Sequence, residues 1–213
     1  MHMPTNIVAP ADLVALNARA VRASSAAVSH CIPADLSKPT PCADWTLRDL
    51  LSHMIAQHRG FAAAARGDDD PDHWQPRPLG LDPVADYRAA ADHVLAAFAA
   101  DDILERAFPL PEFTTEFRFP GIQALTFHFI DYVVHTWDVD RTLGRTTTFD
   151  DDLLAAALPI AEFVPDDASR TTPGAAFAPR LPWTGEATLD RIVALLGRSP
   201  HWPAQPARSV DGE

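Results

Sequence analysis

Asp131 and His135 stand four residues apart in HFIDYVVHTWDVDRTLG, a run otherwise apolar enough for a buried helix. A helix interior does not carry a carboxylate and two imidazoles on one side unless those groups are satisfied there. At about 100° per residue, His128, Asp131, His135 and Asp138 fall within a stripe roughly 80° wide. Asp and His at i and i+4 can aim at one cation, and imidazole with carboxylate is a common ligand set for first-row metals. The same spacing also suits a hydrogen-bonded His–Asp pair with no metal, and D-x-x-x-H alone does not separate the two. Asp138 is placed to orient His135, or equally to pair with Arg141 or Arg48.

The elements that must position these groups read as helices. The first spans about 11–30, with Leu13, Leu16, Ala20, Val21, Ser24, Ala27 and Val28 at helical spacing. The second starts at DWTLRDLL, where Thr46 and Asp49 resemble a capping box, and runs to about Arg66. Its inward stripe is Leu47, Leu50, Leu51, Met54, His58 and Phe61, and His53 lies at the flank. An imidazole in that position serves as a boundary residue or as a ligand.

The segment 67–82 reads as a polar loop with His73 and Trp74 solvated, and it is long enough to act as a lid. Asp82-Pro83 opens a third helix. In the connector 101–119, FTTEFRF alternates and predicts a short extended segment or one edge hairpin. The fourth helix, about 120–143, is the most apolar and should be central; Gly144 stops it. DDLLAAALPIAEFV makes a fifth helix with Pro159 inside, 164–186 wraps the surface, and TLDRIVALLGRSPHW makes a last helix before Gly197. The expected architecture is all-α: a four-helix bundle with a short extended connector and additional C-terminal helices, forming one domain over 1–213. Its core is placed at about 11–163, with 164–213 as a wrapping extension.

Composition sets limits on function. The chain has 213 residues, 47% of them hydrophobic, and a formal charge of −12. That charge argues against a nucleic-acid partner. No window approaches the roughly 18 apolar residues of a membrane span, and no secretory signal opens the chain. Cys31 and Cys42 fit no zinc motif and suit free thiols in a reducing, cytoplasmic setting. No G-x-S-x-G, phosphate loop or dinucleotide fingerprint occurs. The opening Met-His-Met has the look of a cloning scar, so His2 is set aside.

PTPCADWTLRDLLSHMIAQHRGF, DYVVHTWDVDRTLG and LDRIVALLGRSPHW resemble blocks of an actinobacterial family in the DinB-like superfamily. That superfamily includes the metal-binding domain of mycothiol-dependent maleylpyruvate isomerases. The resemblance covers about residues 11–202. It implies a DinB-like four-helix bundle holding a divalent metal through one histidine of the second helix, here His53. From the fourth helix it implies an acid and a histidine, here Asp131 and His135. Two departures stand out: Asp131 replaces the isomerase's Glu, and too few residues follow the fifth helix for the isomerase's second domain.

Three protein ligands leave one to three positions open, as at catalytic zinc sites, and Zn, Ni or Fe would each suit them. His128 shares the ligand stripe and His58 the apolar stripe of its helix. Each is a candidate fourth ligand or catalytic base, set against a reading as an orienting or core histidine. The leading expectation is a metal-dependent small-molecule enzyme, a thiol S-transferase or thiol-dependent isomerase with mycothiol as the cofactor the resemblance implies. A metal-dependent hydrolase, or a metal-free ligand-binding bundle, is the alternative. A homodimer stays open.

Overall fold

Thr46 starts the second helix by accepting a hydrogen bond from the Asp49 N–H at 3.4 Å, while Asp49 accepts from the Thr46 N–H at 3.0 Å. This reciprocal cap satisfies two otherwise unpaired donors and fixes where the helix begins. In a computed structural model describing residues 10–42, 44–172 and 174–203, six α-helices follow in order. They are α1 Pro10–Val28, α2 Leu47–Ala64, α3 Pro83–Phe98, α4 Gly121–Thr142, α5 Asp151–Phe163 and α6 Thr188–Leu195. Met-His-Met and the last ten residues lie outside the described part.

The four long helices close on one another. α1 packs on α4 and α3, and α2 packs on α3 and α4. Leu47, Leu50, Leu51 and Met54 of α2 are fully buried, as are Leu125, Phe129, Val133 and Val134 of α4. α4 is covered around most of its circumference, which explains why it is so apolar and why its polar residues must find partners inside. Asp82 caps α3 by accepting from the Ala85 N–H at 3.0 Å, with Pro83 at the first helical position. The expected helices and the all-α class are thus observed, with boundaries shifted by a residue or two.

Two loops differ from expectation. Trp74 is not solvated: it lies in a short 3-10 turn, Pro71–Trp74, and is 1% exposed. Its ring packs edge-on against Phe61 at 5.0 Å and lies over Gly60, where a Cβ would overlap the ring. The missing side chain at Gly60 makes room for the indole on α2. In the connector, the paired strands are β1 Ala107–Phe108 and β2 Phe119–Pro120, antiparallel, with Phe108 opposite Phe119. The hairpin exists, but most of FTTEFRF is its loop, held by Phe113 stacking on Phe127 at 5.1 Å.

The segment after α5 folds back over the bundle. Arg170, 6% exposed, donates to the carbonyls of Pro165, Ala178 and Leu195 and so ties this strap to α6. Gly197 ends α6 at φ 80°, and a Cβ there would meet the Ala178 carbonyl. The turn aims the next residue, Arg198, into the interior, where it is 3% exposed.

Candidate metal centre

α2 and α4 bring His53, Asp131 and His135 together, with one ligand atom from each lying within 4.8 Å of the others. His135 Nε2 is 3.3 Å from Asp131 Oδ1, and the His53 and His135 rings meet nearly edge-on at 5.4 Å. Trp45 packs beside His53 at 4.8 Å, which limits how that imidazole can turn. The His135 side chain is 2% exposed and that of Asp131 18%, and His53 is also half-buried, so the group meets solvent at Asp131 and His53 and is closed at His135.

The far side of His135 is also fixed. Its Nδ1 lies 2.9 Å from Asp138 Oδ2, and the same oxygen accepts from Arg198 Nη2 at 3.3 Å. Asp138 therefore pairs with His135 and Arg198, whereas Arg141 donates to the carbonyls of Pro200 and Trp202. A carboxylate on the outer nitrogen sets the tautomer that presents Nε2 to a metal.

Electrostatics sorts the three groups. Burial, reinforced by the neighbouring His135, lowers His53 to about 4, so it stays neutral and keeps a free lone pair at neutral pH. Burial works against charge on Asp131, yet His135 holds it well below the usual carboxylate range. Burial likewise opposes charge on His135, but Asp131 and then Asp138 raise it to about 9. Without an ion, a protonated imidazole thus lies between two carboxylates. The Nε2 proton occupies a position where a cation is stabilised, and the two imidazoles and one carboxylate around it are donors suited to a divalent first-row ion.

Cys42, His135 and Asp138 form a second convergent group. Here the cation is already built in: Arg198 Nη2 lies 3.2 Å from Cys42 Sγ as well as 3.3 Å from Asp138. Burial pushes the Cys42 thiol up to about 12, against the pull of Arg198, so it stays protonated. Of the two groups, only His53–Asp131–His135 leaves its cation position to an ion.

His58 and His128 lie outside that triad in a separate buried array. Asn17 Nδ2 donates to the Leu125 carbonyl at 3.1 Å, so its Oδ1 accepts from His128 Nδ1 at 3.2 Å. Neutral His128 then has a lone pair on Nε2, which accepts from His58 Nδ1 at 3.3 Å. His58 also stacks on Tyr132 at 4.1 Å, and the Tyr132 hydroxyl donates to the Met54 carbonyl at 2.5 Å. Burial lowers His128 to about 3 and His58 well below its ordinary value, so both remain uncharged.

Three residues beside the triad escaped the sequence reading: Cys42, Arg198 and Glu112. Cys42 and Arg198 are 156 residues apart, and only the folded-back strap joins them. Glu112 lies in the connector loop, where its bond to Gln57 gives no periodic signal.

Residues 17–140 match the family model described as the mycothiol maleylpyruvate isomerase N-terminal domain. The chain belongs to this family. The mycothiol maleylpyruvate isomerase N-terminal domain family match contains His53, Asp131 and His135, and it ends before Arg198. Two uncharacterized proteins from two strains of Mycobacterium tuberculosis are each 30% identical over 189 residues, covering 88% of this chain and 98% of theirs. The crystal structure of the mycothiol-dependent maleylpyruvate isomerase aligns with a TM-score of 0.49 at 15% identity. A histidine-to-alanine mutant of that isomerase aligns with a TM-score of 0.52 at 13% identity. Each alignment covers 75% of this chain and 70% of the other. The second of these supports a shared fold for the family's helical part.

Proposed function

We propose that the protein is a divalent-metal-dependent enzyme that activates a small thiol of the mycothiol type for transfer to, or isomerisation of, an electrophilic small molecule. The observation that carries this reading is the convergence of His53, Asp131 and His135 from two helices, with Asp138 and Arg198 bracing the far side of His135. The chemistry supplied by an ion there is Lewis acidity, which lowers the pKa of a coordinated thiol. The family's name, with both mycothiol and maleylpyruvate in it, supports the choice of thiol over water.

The chain's own residues do the rest. His53 offers a lone pair because burial keeps it neutral. His135 holds its Nδ1 proton against Asp138 and so keeps Nε2 turned inward. Asp131, half-buried where His135 is buried, lies toward the side from which a thiol arrives and toward which its proton leaves for solvent. The uncharged His58–His128 array holds α2, α4 and α1 in register behind the site rather than exchanging protons near neutral pH. The free thiols of Cys31 and Cys42 agree with a cytoplasmic setting.

Calorimetric titration of mycothiol into zinc-loaded and metal-free protein tests the reading. One thiol bound per metal, with binding lost in metal-free protein and in His53→Ala, is the expected result. Equal binding with and without metal would contradict it.

A further inference from the structure

The connector bridges the groove between α2 and α4 one helical turn away from the triad. On α2, Gln57 follows His53 by four residues, and on α4, Phe127 precedes Asp131 by four, so each pair shares a face. Two adjacent connector residues reach both partners. Gln57 Nε2 donates to Glu112 Oε2 at 2.8 Å, and the Phe113 ring stacks on Phe127 at 5.1 Å and 24°. The backbone behind them is anchored, because Phe108 and Leu110 are fully buried.

Gln57 is 6% exposed, whereas Phe113 is 53% exposed and Glu112 also faces solvent. The pair therefore forms an exposed rim one turn from His53 along α2 and one turn from Asp131 along α4. Gln57 engages only Oε2 of Glu112; among the described residues Oε1 has no hydrogen-bond partner.

We infer that Glu112 and Phe113 form the recognition wall of the site, and that Glu112 selects thiols with neutral or cationic, hydrogen-donating bodies over anionic ones. This rests on the thiol reading above. A carboxylate accepts hydrogen bonds from hydroxyl, amide and ammonium groups and repels another carboxylate. Burial and, against the Gln57 bond, the charge of Asp131 raise the Glu112 carboxyl above its ordinary value, so Glu112 lies within electrostatic reach of the triad. Phe113 adds an apolar face against which a ligand's carbon skeleton can lie.

The test uses full-length protein loaded with cobalt(II) and three small probes: cysteamine, 2-mercaptoethanol and 3-mercaptopropionate. Binding is read from the sulfur-to-cobalt charge-transfer absorption, in wild type and in Glu112→Gln, which keeps the side chain's size. Wild type should bind cysteamine and 2-mercaptoethanol more tightly than 3-mercaptopropionate. Glu112→Gln should improve 3-mercaptopropionate and weaken cysteamine by about two- to fivefold each, the scale of a partly exposed ion pair, and leave 2-mercaptoethanol unchanged. An unaltered order of affinities in the variant overturns the inference. So does loss of cobalt from Glu112→Gln, which would make Glu112 a ligand. Wild type that holds cobalt but develops no charge-transfer band with any probe refutes the thiol reading itself and removes this inference with it.

Discussion

Asp138 accepts the Nδ1 proton of His135 at 2.9 Å, three residues along the same helix, and so turns Nε2 toward Asp131. The helix that supplies two of the proposed ligands therefore also supplies the group that orients one of them. Arg198, delivered by the C-terminal strap, holds Asp138 in turn.

Removing that support should weaken the proposed metal site without touching a ligand. Asp138→Ala is expected to lower zinc affinity about 10- to 100-fold, measured by competition with a chromogenic chelator. It also leaves Arg198 buried without its carboxylate, and stability should fall by about 3–5 kcal/mol. Asp138→Asn, which keeps an acceptor for Nδ1, should retain more of the affinity. Equal affinity in wild type and Asp138→Ala would show that His135 needs no brace.

The buried histidine array gives the protein an acid limit. His128 is lowered to about 3 and His58 well below 6.5, both by burial first. The unfolded chain takes up protons at these positions below about 6.5 while the folded chain does not, so their contribution is complete above that pH and is lost as pH falls. Each contributes a slope of up to about 1.4 kcal/mol per pH unit. Urea unfolding from pH 7 to pH 4 should show that decline, and His58→Phe, which keeps a ring on Tyr132, should make it shallower. An identical slope in the variant would argue against a neutral buried His58.

Gly60 tests how the 67–82 loop is seated. A methyl group there overlaps the Trp74 ring, so Gly60→Ala should cost about 1–3 kcal/mol in thermal unfolding even though alanine is the better helix former. Trp74→Leu in the same background should recover part of the loss. A Gly60→Ala protein as stable as wild type would mean that the indole is not fixed on α2.

The helices were legible because their signals are local: the Thr46–Asp49 cap, Asp82-Pro83, and the Gly144 and Gly197 stops. The triad was legible for a related reason. Asp131 and His135 are polar residues one turn apart on a helix too apolar to expose, and the family resemblance pointed to His53. Trp74 was misread because its burial depends on a gap at Gly60 that no periodicity reports. Arg198 reaches the site beyond the C-terminal strap, Cys42 from the turn before α2 and Glu112 from a hairpin loop, and in each case contact depends on the path of the chain in space. The partnership of His58 with His128 and Asn17 likewise emerges only when three helices are packed.

The central claim is that His53, Asp131 and His135 hold one divalent ion. Metal content by plasma mass spectrometry on tag-free protein, with wild type beside Asp131→Ala and His53→Ala, tests it most directly. Near one equivalent of a single metal in wild type, lost in both variants, is the predicted result. No metal in wild type after reconstitution, or full stoichiometry in both variants, would contradict it.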